Sequence, residues 1–485
     1  MRSKIISAEA AASLVKNGEV VYIAGGKTNR LVEALGRRFK KTALPRKLSV
    51  IYTGGVNQPH APGLDHLAYE GLIDTVVASH WSPRMANLAL HDKIKAYNLP
   101  QGILSQMIRT AAAGEKGMIK KTGLYTFVDP RLEGARVNTK TESALVERLQ
   151  ILDEEFLFYR SLFHNVAFIR ASSADVEGNL TMEDEPADYT SLSAAQVCRA
   201  RSGLTIALVD KQLNSLARHT NVRVPSALVD FIVVDPNTSQ PAMHGMDVSL
   251  HTDTPRNEKN AAATVQKLIA IHAFSRFPQQ GFVHISHTLE SYLLPCLDKL
   301  STDPALTFVN ENGQILRYFC QTKGQIASET PADVADESQQ FDFVHGGGLD
   351  ACFLDFFQID QFGNVNTSRV DHRFPGCGST IDIAQNTHRV VFCGAIAGNR
   401  DTHRQTTRSH FVQNVEQITF HGQYALSRGQ EVYFCTGHGT FRLLRTGLEL
   451  IEISPGTDLE RDILSRMDFV PLISPDLKEI ALGHL

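Results

Sequence analysis

No pair of cysteines in the chain has the spacing Cys-x-x-Cys, although there are seven cysteines among its 485 residues. Cys198, Cys296, Cys320, Cys352, Cys377, Cys393 and Cys435 lie far apart, and an odd number cannot all pair within one chain. The pattern points to reduced thiols and a cytoplasmic protein, with Cys352 and Cys393 acting as small apolar residues inside strand-like runs. No stretch approaches the roughly 20 apolar residues that would cross a bilayer. The N-terminal "MRSKIISAEAAASLVKNGEVV" is interrupted by Glu9, Lys16, Asn17 and Glu19, so no signal-peptide core is expected. Charge of one sign is also missing: the net charge of -4 is spread without long runs, which argues against nucleic acid as a partner, and with no bilayer-spanning stretch no membrane partner is expected. The nineteen histidines include no His-Glu-x-x-His, and "HAPGLDHL" reads as a loop, so no metal is expected. The pentapeptide Gly-x-Ser-x-Gly does not occur, which removes the serine-hydrolase reading of "HGGG" at 345 to 348. Nor does any Gly-x-Gly-x-x-Gly follow a strand, which removes a dinucleotide-binding unit.

What is present is alternation. Short β-branched runs such as "EVVYIAGG", "KLSVIYTGG", "NVAFIRASS", "GFVHIS", "ALTFV" and "RVVFCGAI" alternate with stretches of helical period, among them 85–96, 141–151 and 259–275. This is an α/β pattern with largely parallel, buried sheets, in a chain too long for one core. Residues 166–180, "VAFIRASSADVEGNL", line up at one constant offset with 351–365, "ACFLDFFQIDQFGNV". Phe168 falls on Phe353, Asp175 on Asp360, Gly178 on Gly363 and Asn179 on Asn364. A duplicated α/β unit follows. The expected division is an N-terminal domain over 1–240, a C-terminal domain over 259–485, and the polar segment 241–258 as the connection.

One short stretch carries chemistry. In "ALTFVNENGQIL" an apolar strand runs into Asn-Glu-Asn-Gly, whose Asn312-Gly313 suits a tight turn, so Glu311 sits at its lip. Taken locally, this is a hairpin with a solvated glutamate. Several longer motifs change that reading: "GLDHLAYEGL", "KAYNLPQGILSQMIR", "GLYTFVDPRLEG", "ADVEGNLTMEDE", "FDFVHGGGLDACFL", "QIDQFGNVNTS", "PGCGSTIDIAQN" and "GLELIEISPGTDLERDIL". In this order and spacing, over nearly the whole length, the chain resembles the family I coenzyme A transferases, in their fused single-chain acetate, propionate and 3-oxoacid branch.

The resemblance implies two similar open α/β domains with the active site in the cleft between them. It also implies transfer of CoA between short-chain acids, with the CoA thioester as substrate and no permanently bound cofactor. Glu311 then stands where the family has its nucleophilic glutamate, and would carry a glutamyl-CoA thioester. Gln101 is implied to face the reacting carboxylate, and the peptide at Gly378 and Ser379 to form the oxyanion pocket. Gly346, Gly347, Gly348, Gly363, Asn364 and Asn366 are the implied CoA contacts, acyl-CoA and carboxylic acids the partners, and a homo-oligomer the assembly.

Several glycine-rich places depart from the family pattern. "GGKTNRLVEAL" replaces a Gly-Phe turn, "VHISHTLESYL" lacks two loop glycines, "LRYF" follows "ENGQI", and Ser379 replaces a glycine. Bulkier side chains there reshape the acyl and pantetheine channels. Altered acid specificity is one consequence. The alternatives are a relative that binds acyl-CoA with little turnover, or a hydrolase using the same glutamate.

Overall fold

The computed structural model describes residues 4–25, 28–53, 63–185, 188–236, 256–297, 305–309, 315–317, 336–371, 373–396 and 410–481. Glu311 and residues 241–255 of the expected connection fall outside them, and the helix Arg256–Phe274 takes up the end of that connection. Contacts divide the chain into two units. One is Met1–His244 with Val334–Asp342 and Asp371–Asp382; the other is Gly245–Asp333 with Phe343–Val370 and Ile383–Leu485.

In the first unit the strands Val20–Ile23, Leu48–Tyr52, Ile73–Ala78 and Lys95–Asn98 pair in parallel in that order. On the other side Val20–Ile23 pairs in parallel with Val166–Ala174, which pairs in turn with Leu204–Gln212. Every residue of Val166–Ala174 is buried. A strand covered on both faces needs no polar alternation, which is why its sequence reads as an apolar run with small hydroxyls, broken by Arg170, whose buried charge is met by Glu185 at 3.0 Å and Asp210 at 2.5 Å. The core fills with Val21, Ile23, Val50, Val76, Phe168 and Ile206 from the sheet and Leu31 and Leu35 from the helix Asn29–Thr42.

The second unit is built on a sheet ordered Ile315–Arg317, Ala305–Val309, Gln280–Ile285, Ala351–Asp355, Arg389–Cys393, Glu431–Cys435, Gly439–Leu444, Gly447–Ile453 and Leu472–Glu479. From Ala305–Val309 through Glu431–Cys435 the pairings are parallel. Cys352, Cys393 and Cys435 are buried within these strands as free thiols, together with Cys198 and Cys377 elsewhere.

The repeat seen in the sequence is a repeat of hydrogen bonds. In the first unit Asp175 Oδ1 accepts from the amides of Glu177 and Asn179, each at 2.9 Å, and Asn179 Nδ2 donates to Asp175 Oδ2 at 2.9 Å. In the second, Asp360 Oδ1 accepts from the amides of Phe362 and Asn364, each at 3.0 Å, and Asn364 Nδ2 donates to Asp360 Oδ2 at 2.8 Å. Gly178 and Gly363 supply the positive φ both turns require, at 89° and 72°. The strands before them also match, with Ala24 N donating to Phe168 O and Ser286 N to Phe353 O.

Two expected helices are corrected. Residues 146–151 form a strand paired antiparallel with Glu154–Arg160, closed by Leu152 and Asp153 at φ 49° and 63°. The apolar spacing of 141–151 fits a helix, but the aromatic partner "EEFLFYR" and a two-residue turn recruit it into a hairpin. The helix expected over 85–96 spans Pro83–Leu90, and Lys95–Asn98 is a sheet strand.

If the Asp-x-x-Gly-Asn turn is structural in both copies, Asp175→Ala and Asp360→Ala should each destabilise their unit by about 1–3 kcal/mol, since two turn amides in each, most of them part-buried, lose their acceptor. Thermal unfolding followed by fluorescence checks this, and an unchanged midpoint in both variants would contradict it.

Candidate active site

The helix Gln101–Ala112 follows the edge strand Lys95–Asn98 and begins after Pro100, which offers no side-chain cap. Its first amides are orphans by construction. They are satisfied from residues far along the chain: Gln101 N donates to Gly378 O at 2.9 Å, Gly102 N to Asp382 Oδ2 at 2.8 Å, and Ile103 N to Asp382 Oδ1 at 3.2 Å. A carboxylate at this end also suits the helix dipole. Gly102 admits this approach because it has no Cβ, which would lie 2.4 Å from the Phe341 ring. One turn later, Gln106 Nε2 donates to Asp342 Oδ1 at 2.9 Å, and Arg109 grips the same carboxylate through both guanidinium ends.

The turn Pro375–Ser379 is strapped to the ends of the sheet strands. Trp81 N donates to Pro375 O at 2.9 Å, Gly378 N to Ser79 O at 3.0 Å, and Cys377 N to Asn98 Oδ1 at 3.4 Å. Gly376 and Gly378 have φ 86° and 52°. A Cβ on Gly376 would lie 2.2 Å from Ser79 O. The structure thus brings Gln101, Gly378 and Ser379 together. The Gly378 amide donates to Ser79 O, whereas the Ser379 amide has no backbone acceptor among the described residues. His80 lies against Gly378, with Nε2 2.8 Å from where a Cβ would stand, and burial lowers its pKa, so the ring is neutral at pH 7.

The side chain of Gln101 is 4% exposed, and its Nε2 donates to Glu337 Oε1 at 2.5 Å. Glu337 is the first residue of the helix Glu337–His345 and is 3% exposed. Its amide donates to Asp188 O at 2.9 Å, and its Oε2 is buried with no partner among the described residues. Burial, reinforced by Asp336 and Asp188, pushes the Glu337 carboxyl up to about 8 against the lowering effect of Gln101 and Thr53. The Thr53 hydroxyl is close enough to act on Glu337 but lies outside hydrogen-bonding geometry with it. Burial likewise raises Asp188 to about 6 and raises Asp336. Sequence reading missed Glu337. Its only trace is an acidic residue in "ADESQQFDF" at a position that faces the core once the stretch turns helical.

The expected CoA contacts lie in the second unit. Gly346–Gly348 end the helix Glu337–His345: Gly347 N donates to Val344 O and Gly348 N to Phe343 O, each at 3.0 Å. Gly347 has φ 82° and open space where a Cβ would stand, whereas Gly348 abuts the Phe343 ring. Asn364 and Asn366 are engaged within the fold. Asn364 spans Asp360 and the Gly422 amide, and Asn366 bonds Gln358, the Arg369 carbonyl and the Ser368 amide. The strand Ala305–Val309 pairs antiparallel with Ile315–Arg317, Val309 opposite Ile315. At its end His284 Nδ1 lies 2.8 Å from Val309 O, and burial lowers the His284 pKa to about 4, so a neutral ring donates to that carbonyl.

A carboxyl that ionises near pH 8 when folded and near 4.5 when unfolded holds its proton more tightly in the folded state. Its stabilising contribution is complete below about pH 4.5 and is lost as pH rises to about 8. Glu337→Gln removes that loss. The thermal midpoint of the variant should therefore climb relative to the parent across this window, by on the order of several degrees, and level above it. A difference that stays constant across the window would contradict the assignment.

A sequence model described as Coenzyme A transferase matches residues 5–235. The chain is 34% identical to the acetate CoA-transferase YdiF of Escherichia coli O157:H7, over 98% of this chain and 94% of that protein. It is 32% identical to the caffeate CoA-transferase of Acetobacterium woodii, over 99% and 97%. The crystal structure of the Escherichia coli O157:H7 YdiF apoenzyme superposes with a TM-score of 0.87 at 33% identity, covering 99% of this chain and 95% of that one. A thioester complex of the same protein with CoA gives 0.86. Full-length similarity to such enzymes, over two α/β units, makes this chain a CoA-transferase of family I, in the branch where both halves are fused in one polypeptide.

Proposed function

We propose that the chain exchanges the acid partners of CoA thioesters through a covalent glutamyl-CoA intermediate on Glu311. The observation that carries this is the full-length similarity to acetate and caffeate CoA-transferases, one of which has been solved as a thioester complex with CoA. In the first step the Glu311 carboxylate attacks the thioester carbonyl, the C–S bond breaks, and an acyl-glutamyl anhydride and CoA thiolate result. The thiolate attacks the glutamyl carbonyl of the anhydride, releasing the first acid as its carboxylate and leaving Glu311 as a CoA thioester. A second carboxylate then runs both steps in reverse. Thioester energy is conserved throughout, so no nucleotide is consumed.

Each tetrahedral species places negative charge on the former carbonyl oxygen, which calls for fixed donors. In this reading the Ser379 amide and the Gln101 carboxamide supply them, and the Gly378 carbonyl keeps Gln101 in place. Gly346–Gly348 let CoA approach the main chain, while Gly363, Asn364 and Asn366 hold the adjoining turn in shape. Acceptors are small carboxylic acids, and the reaction takes place in the cytoplasm, in a homo-oligomer.

Glu311→Ala should lower acid exchange between an acyl-CoA and a labelled carboxylate by about 10³-fold or more, with the parent thermal midpoint retained. Exchange at the parental rate would overturn the proposal. If free acid and CoA instead accumulate from the parent at equal rates with and without acceptor, the glutamate serves hydrolysis and not transfer.

A further inference from the structure

We propose that Glu337 is a positioning residue of this transferase, its carboxyl group fixing the Gln101 carboxamide. The inference rests on the reading above, in which Gln101 contacts the reacting carboxylate.

The geometry leaves Glu337 little freedom. Its side chain is 3% exposed, its main chain is held by Asp188 O, and its Oε1 receives the Gln101 Nε2 proton. A carboxamide has two N–H donors. With one of them fixed on Glu337, the other is aimed in a single direction and is available to an anion. Gln101 itself is fixed at both ends, by Gly378 O at its amide and by Glu337 at its side chain.

The charged and titratable groups around Glu337 come from several elements. Tyr22 lies on the strand Val20–Ile23, Asp188 precedes the helix Ser191–Ala200, and Asp336 is its own neighbour. Arg223 acts on Asp188, and Arg109 on Asp336. Tyr22 is held by Thr190 Oγ1 at 2.6 Å and by the Tyr189 carbonyl, and burial raises its pKa far above neutrality. In these surroundings Glu337 is uncharged at pH 7 and accepts from Gln101 without adding charge to the site. Every charged group at the reacting centre is an anion: carboxylate, thiolate or oxyanion. Ionised Glu337 would put a further negative charge one carboxamide away from them, where Coulomb repulsion is weakly screened. Turnover should therefore fall with a single ionisation in mild alkali. Carboxylic acid acceptors are fully ionised well below that range, so such a limb does not come from them.

The test is the pH dependence of kcat and KM for acid exchange in the parent, Glu337→Gln and Glu337→Ala, with the thermal midpoint of each recorded. The parent should lose kcat with a midpoint near 8. Glu337→Gln, which keeps an uncharged acceptor, should retain kcat within about threefold at neutral pH and lack the alkaline limb. Glu337→Ala should lose about tenfold or more in kcat while KM for acyl-CoA moves by less than about threefold. An alkaline limb in Glu337→Gln at the parental midpoint, or parental kcat in a folded Glu337→Ala, overturns the proposal. Should Glu337→Ala fail to fold, the Glu337→Gln profile decides alone. Failure of the underlying reading shows differently, as exchange that survives in Glu311→Ala whatever the Glu337 variants do.

Discussion

A helix that starts without its own cap must find acceptors elsewhere, and the arrangement of the first unit follows from how the helix Gln101–Ala112 does so. Asp382 takes two of its leading amides and Gly378 a third. The partners are separated from the helix by more than half the chain, so the capping also fixes where 371–382 runs in the first unit. An unpaired buried amide costs roughly 1–3 kcal/mol, and three of them exceed what local helix propensity supplies. Because Gln101 is the residue at that start, the capping sets its position to within a hydrogen bond. The glycine turn is pinned in the same way, through Ser79 and Asn98 at the ends of sheet strands.

Much of the fold was legible because its signals were local. Buried parallel strands read as unbroken β-branched runs, and the repeat was visible in Asp175 and Asp360, where the carboxylate performs the same three-bond task twice. The hairpin at 146–160 was not legible, since the helical spacing of its first strand yields to a partner lying later in the sequence. At the site, Gln101, Gly378 and Ser379 could be named from a resemblance and are found together. That Gly378 gives its amide to Ser79 depends on the fold of the neighbouring strand ends, which no motif encodes. Glu337 was invisible for a similar reason: acidic residues in a polar stretch read as solvated, and only the return of 334–342 to the first unit buries this one.

The electrostatics of the first unit are consistent with anionic chemistry. Three carboxyls, Asp188, Asp336 and Glu337, are drawn together there, and burial raises each toward its neutral form. Of the three, Glu337, raised to about 8, keeps its proton at pH 7, which limits the buried charge beside Asp188 and Asp336. Glu337 thereby accepts the Gln101 hydrogen bond as an uncharged group. The departures from the family pattern fall in both units: "GGKTNRLVEAL" and Ser379 in the first, and "VHISHTLESYL", which begins in the strand Gln280–Ile285, in the second.

The most direct measurement is a mass map of the protein after brief incubation with an acyl-CoA and no acceptor, followed by acid quench and proteolysis. The account predicts that the peptide containing Glu311 gains the mass of CoA less one water and that no other peptide does. An adduct on the peptide carrying Glu337, or turnover of acids with no CoA adduct at any time, would contradict it.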